Sequence, residues 1–156
     1  MRNRNLASAV FALALCFSGL AQEPVPIAVV VNPENPIKDL SLPTLRDFFQ
    51  CEKLYWQTGR RVVVFTRPAG SPEHAVMLHT LYNMNEEEYR KLWVMKEMHG
   101  DVSCRVTELP SRGILQEGLR SYAGAIALVR VPEVTPQMKV ITIDGKHVRD
   151  ADYPLQ

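Results

Sequence analysis

The apolar run Val62-Val63-Val64-Phe65-Thr66, closed by Arg67 and followed by Gly70-Ser71-Pro72, constrains this chain more than any other stretch. An unbroken run of β-branched and aromatic residues fits a strand covered on both faces. Gly70 gives the loop its freedom, Ser71 is a favoured N-cap, and Pro72 is tolerated at a first helical position. The stretch is a strand feeding a tight loop into a helix N-terminus, the joint from which α/β sheets are built. Such a terminus carries unpaired N–H groups and the positive end of a dipole, which suits an anion. Arg67 adds a planar, permanently charged fork that matches phosphate or carboxylate oxygens. A purely structural role fits the same residues: a serine cap alone is worth about 1 kcal/mol, and Arg67 could pair with a surface acid.

The rest of the chain repeats the alternation. Ile27 to Val31 form an apolar strand, and Asn32 to Pro36 a turn. Ser41 caps a helix with Leu42, Leu45, Phe48 and Phe49 on one face. The helix after Ser71 is expected to pack through Ala75, Val76, Leu78, Leu81 and Tyr82. Asn85-Glu86-Glu87-Glu88 is a capping-box start to a helix lined by Tyr89, Leu92 and Trp93, stopping at Gly100. Arg105 to Glu108 form a short strand. A helix from Ser111 to about Tyr122 carries Leu115, Gly118, Leu119 and Tyr122 on one side. Ala125 to Val131 and Lys139 to Ile143 are the last strands, the latter closed by an Asp144-Gly145 turn. The expectation is one α/β domain with a parallel or mixed sheet of about five strands flanked by helices.

Five pieces of the chain stand in a telling order: Val29-Val30-Val31-Asn32-Pro33-Glu34-Asn35-Pro36, Leu40-Ser41-Leu42 to Phe49, Tyr55-Trp56-Gln57-Thr58-Gly59, Arg67 to Ser71, and Gly124-Ala125-Ile126-Ala127-Leu128-Val129. That order resembles the substrate-binding proteins of phosphate ABC transporters, of the periplasmic binding protein type II fold, over roughly residues 27 to 131. The resemblance implies a noncatalytic solute-binding domain with a single lobe of that fold, taking a small oxyanion, phosphate first. It matches Arg67, Gly70 and Ser71 to the arginine, glycine and serine of the family's phosphate-binding segment. His74, one turn into the helix, could join such a site when protonated; as a plain polar surface residue it needs no such role. Pro72 stands where the family has glycine and removes an N–H. Glu73 stands where it has threonine and sets a negative charge beside the anion. The family's other lobe has no counterpart here. The rival expectation is therefore a cell-envelope interaction module that keeps the lobe and has lost the ligand. Partners implied are an ABC permease or another envelope protein, and a second copy that would rebuild a cleft.

Arg2 and Arg4 ahead of the apolar stretch Leu6 to Phe17, ending in Ser18-Gly19-Leu20-Ala21, form a secretory signal. Cleavage after Ala21 would leave residues 22–156 as one periplasmic domain. Cys16 offers a lipoprotein alternative, but Leu15 sits where a lipobox wants a small residue. With 18 basic and 17 acidic residues the chain is nearly neutral, and no basic patch points to nucleic acid. In an oxidising compartment Cys51 and Cys104 either pair or remain two separate thiols; thiol-redox chemistry lacks a CxxC motif. His79, His99 and His147 are isolated, no metal motif or cofactor fingerprint is present, and no GxSxG, Walker or dinucleotide pattern marks an enzyme. The Tyr55-Trp56 pair is expected in a loop, partly exposed, as a lid over the core or a docking patch.

Overall fold

A computed structural model describes residues 25–100, 104 and 106–156. The proposed leader and Cys16 lie outside them. Six strands form one mixed sheet: β1 (Ile27–Val31), β2 (Asp39–Leu40), β3 (Val63–Thr66), β4 (Val106–Glu108), β5 (Ala125–Arg130) and β6 (Lys139–Ile143), in the order β2-β6-β1-β5-β3-β4. The sixth strand is β2, a two-residue edge pairing on β6 that is too short to leave a hydrophobic signature. β3 runs parallel to both β4 and β5, whereas β1 is antiparallel to β5 and β6. Helices α1 (Leu42–Phe49), α2 (Pro72–Val76), α3 (Glu86–Met98) and α4 (Arg112–Ser121) complete the fold.

The apolar runs are explained by two cores. Ile27, Val29 and Val31 of β1 and Ile126 and Leu128 of β5 meet α1 and the α2 region on one face. Ala28, Val30, Ala125, Ala127 and Val129 meet Phe65, Leu115 and Leu119 on the other. Side chains alternate across a strand, so a strand buried on both sides has no polar positions. Each large aliphatic chain so removed from water contributes about 1.5–3 kcal/mol.

Three side-chain ties fix the frame. Asn32 Nδ2 donates to the carbonyls of Leu119, Arg120 and Tyr122, satisfying the end of α4 from the end of β1. Trp56 Nε1 donates to Gly124 O at 2.9 Å, and Trp56 is only 3% exposed. Trp56 is thus core, and only Tyr55 of the pair faces solvent. Cys51 and Cys104 are disulfide-bonded, their Cα atoms 5.6 Å apart.

The expected helix after Ser71 has a different interior. α2 gives way after Val76 to a π-helical turn, Met77–Tyr82, ended by Asn83 in the left-handed region. Extra residues per turn rotate the buried face. Met77, Leu78, Leu81 and Tyr82 are buried, Val76 is half-buried and Ala75 is exposed. The capping box at α3 forms as expected: Asn85 Oδ1 accepts from Glu87 and Glu88 N–H, and Glu88 Oε2 accepts from Asn85 N–H. Asp144 and Gly145, at φ 52° and 73°, make a turn that returns Lys146 N–H to Ile143 O.

Candidate functional site

The carboxyl ends of the parallel strands β3, β4 and β5 bring Thr66, Glu108 and Arg130 to one edge of the molecule. Open α/β sheets bind ligands outside such ends. The loop that leaves β3 there begins with Arg67. Its Nη1 donates to Leu109 O at 3.0 Å, clamping the guanidinium against the chain leaving β4, while Nε is buried without a hydrogen-bond partner among the described residues. Ser71 N–H donates to Pro68 O at 3.1 Å, and Gly70 takes φ 84°, so the loop is a tight turn that needs the left-handed region at Gly70.

The helix start that follows has few donors for a ligand. Ser71 N–H closes the turn, Pro72 has none, and His74 N–H donates to Ser71 Oγ at 3.2 Å. Ser71 is therefore a working cap, as its structural reading expected. Glu73, close to the loop, is not an unpaired charge there. It is 3% exposed, its Oε1 accepts from Arg130 N–H at 3.3 Å, and the Arg130 Nε lies 3.5 Å away. Arg130 also pairs with Glu133. His74 is not a surface residue. It is 6% exposed, its Nε2 lies 2.8 Å from Glu86 Oε2, and its ring meets Tyr89 edge-on at 5.7 Å.

Arg67, Gly70 and Ser71 thus share one turn, while His74 is turned into the interior and held by Glu86. Arg130 and Glu86 were not singled out by sequence. Glu86 looks like an ordinary dipole partner of α3, and Arg130 lies 57 residues from the glutamate it meets, so no local signal links either to this edge.

A separate groove of about 1030 Å³ runs along α4 on the sheet face that carries Phe65. Phe65, Leu109, Ile114, Gly118 and Tyr122 line it, and Ile114 and Tyr122 are about half exposed, at 50% and 54%. Gly118 leaves room there: a Cβ on it would come within 3.0 Å of the Phe65 ring.

No protein-family model matches the sequence, and no curated protein does either. Solved structures do match the fold. An ABC-type phosphate transport receptor from Vibrio cholerae aligns with a TM-score of 0.61 at 14% identity, over 78% of this chain and 47% of that one. A phosphate ABC transporter substrate-binding protein with bound phosphate from Clostridium perfringens gives 0.61 at 19%, over 79% and 46%. PstS from Borrelia burgdorferi gives 0.63 at 12%, over 83% and 53%. The fold is that of a phosphate-receptor lobe. The chain spans about half the length of these proteins. At such identities the likeness carries the fold, and residue roles have to come from the site itself.

Proposed function

We propose that this chain is an exported, noncatalytic solute-binding lobe that takes a small oxyanion, phosphate first, at the Arg67–Ser71 turn. The observation that carries the reading is the clamped Arg67 guanidinium at the carboxyl edge of β3, with the Glu73 charge met by Arg130. A permanently charged fork held in place loses less freedom when it binds than a mobile one. The sparse N–H donors of the helix start make Arg67 the main contact, and a single lobe covers only one side of a ligand. Affinity is therefore expected to be weak for the isolated chain, and tightened where a second copy, a permease or another envelope protein closes over the site. The periplasm is the proposed compartment, which the Cys51–Cys104 bond suits.

A second reading has its own support. The apolar groove along α4, with Ile114 and Tyr122 half exposed, favours an envelope interaction module that retains the lobe without its ligand. Isothermal titration with phosphate, beside an Arg67→Ala variant of unchanged melting temperature, separates the two. Saturable binding lost in the variant supports the oxyanion reading. Folded protein that gives no heat into the millimolar range removes it in favour of the interaction module.

A further inference from the structure

The last turn of α3 carries Met95 and Met98, with His99 as its C-cap. Met95 is 57% exposed, Met98 80%, and His99 is exposed as well. Thioethers so far in water bury little, so core packing does not account for them. Met98 and His99 follow Met95 by three and four residues, and His99 N–H still donates to Met95 O at 3.1 Å, so the helical spacing holds to the cap. Both are therefore neighbours of Met95 on the helix surface. Three neutral electron-pair donors, two sulfurs and an imidazole nitrogen, gather within one turn. The long, flexible methionine chains let both sulfurs reach one point.

The His99 ring supplies an independent indication. Its Nδ1 lies 2.8 Å from Met95 O. A carbonyl accepts only, so Nδ1 carries the hydrogen, and the neutral ring keeps its lone pair on Nε2. Metal-binding histidines are held in this way, one ring N–H on a carbonyl and the other nitrogen on the metal. The C-terminal end of a helix also favours a cation. The lysines nearest in sequence are engaged elsewhere: Lys91 pairs with Glu87 at 2.6 Å, and Lys96 donates to Gln50 O at 2.7 Å. Among the described residues no three acid, histidine or cysteine side chains gather to hold a metal ion. Cys51 and Cys104 are tied in their disulfide, so their thiolates do not compete for a soft ion. A thioether needs no deprotonation and forms no disulfide.

We propose that Met95, Met98 and His99 bind a soft monovalent metal ion, Cu(I) first, through the two thioether sulfurs and His99 Nε2. Thioethers select Cu(I), whereas Zn(II) takes thiolate, imidazole and carboxylate ligands. Coordination donates three lone pairs and changes no oxidation state. The site does not rest on the oxyanion reading.

The test uses the full-length chain with Cys16→Ser in every protein, which removes the thiol of Cys16. Ag(I), a soft monovalent ion that needs no reductant, is titrated while NMR follows the methionine methyls and histidine rings. Saturable one-to-one binding should shift the Met95 and Met98 methyls and the His99 ring. Cu(I), kept reduced by ascorbate and competed against bicinchoninate, gives the affinity. Met95→Leu/Met98→Leu is expected to weaken it more than about a hundredfold, since even the contacts behind a metal ligand are worth about 10–100-fold. Both residues are exposed and leucine suits a helix, so the metal-free melting temperature should hold. Each single leucine variant replaces the pair if it does not. Shifts centred on His79 and Met84 or elsewhere, no saturation in folded protein, Zn(II) bound as tightly as Cu(I), or undiminished Cu(I) affinity in the leucine variants would overturn the proposal. Binding should persist in Arg67→Ala, which keeps its outcome separate from that of the oxyanion site.

Discussion

Two glycines near the candidate site show how differently one residue type can be constrained. Gly70 has open space around it but a φ of 84°, so Gly70→Ala meets only backbone strain, about 1 kcal/mol. At Gly124 a Cβ would sit 1.9 Å from Arg61 O, where backbone has to move. Gly124→Ala should cost more than about 3 kcal/mol, and chemical denaturation of the two variants compares them directly. Arg130 is the residue on which the local electrostatics turn. Arg130→Ala strips Glu73 of its side-chain partner, leaving a buried carboxylate held mainly by a backbone N–H. A loss of about 2–4 kcal/mol in denaturant unfolding is expected, together with weaker phosphate binding, because the uncompensated charge then lies close to the Arg67 turn. Unchanged stability would show that Glu73 is satisfied without that guanidinium.

At the scale of elements, the strands and most helix starts were legible because their signals are local: apolar runs for β1, β3 and β5, and side-chain caps at Ser41, Ser71, Asn85 and Ser111. The π-helical turn after α2 was not legible. Its packing follows from Phe49, whose carbonyl accepts from the Tyr82 hydroxyl, and from Tyr89, whose ring meets Tyr82 edge-on at 4.9 Å. The same burial decides a pH dependence. Desolvation pushes the Tyr82 phenol far above its ordinary value. Folding therefore favours the neutral ring, and its contribution is complete below the unfolded tyrosine's pKa of about 10 and declines as pH rises beyond it. Melting temperature should hold to about pH 9 and fall more steeply above pH 10, with Tyr82→Phe flattening that fall while costing about 1 kcal/mol at neutral pH for its lost hydrogen bond. An equally steep alkaline fall in the variant would assign it to other groups.

At the scale of the whole molecule, the class of fold was readable from the order of strands and helices, but the location of charge around the site was not. Glu73 and His74 are neighbours in a polar helix start, and nothing local says that the fold buries both, one toward Arg130 and the other toward Glu86. Trp56 likewise reads as a loop aromatic until Gly124, 68 residues on, supplies its acceptor. The chain also has a long covalent closure: Cys51 and Cys104 are 53 residues apart in sequence. Constraining a loop of that size in the unfolded chain is typically worth about 2–4 kcal/mol, and reduction or paired Cys→Ser substitution should lower denaturant stability by that amount. A lobe with half the length of its structural neighbours can bind and still leave its ligand partly wet, so location is a sharper test than affinity. Amide-resolved NMR titration of the chain with phosphate provides it. The account predicts saturable shifts concentrated at residues 67–73 and at Leu109, absent in Arg67→Ala. Shifts scattered over the surface, or none, in protein with a well-dispersed spectrum would contradict an oxyanion site at this turn.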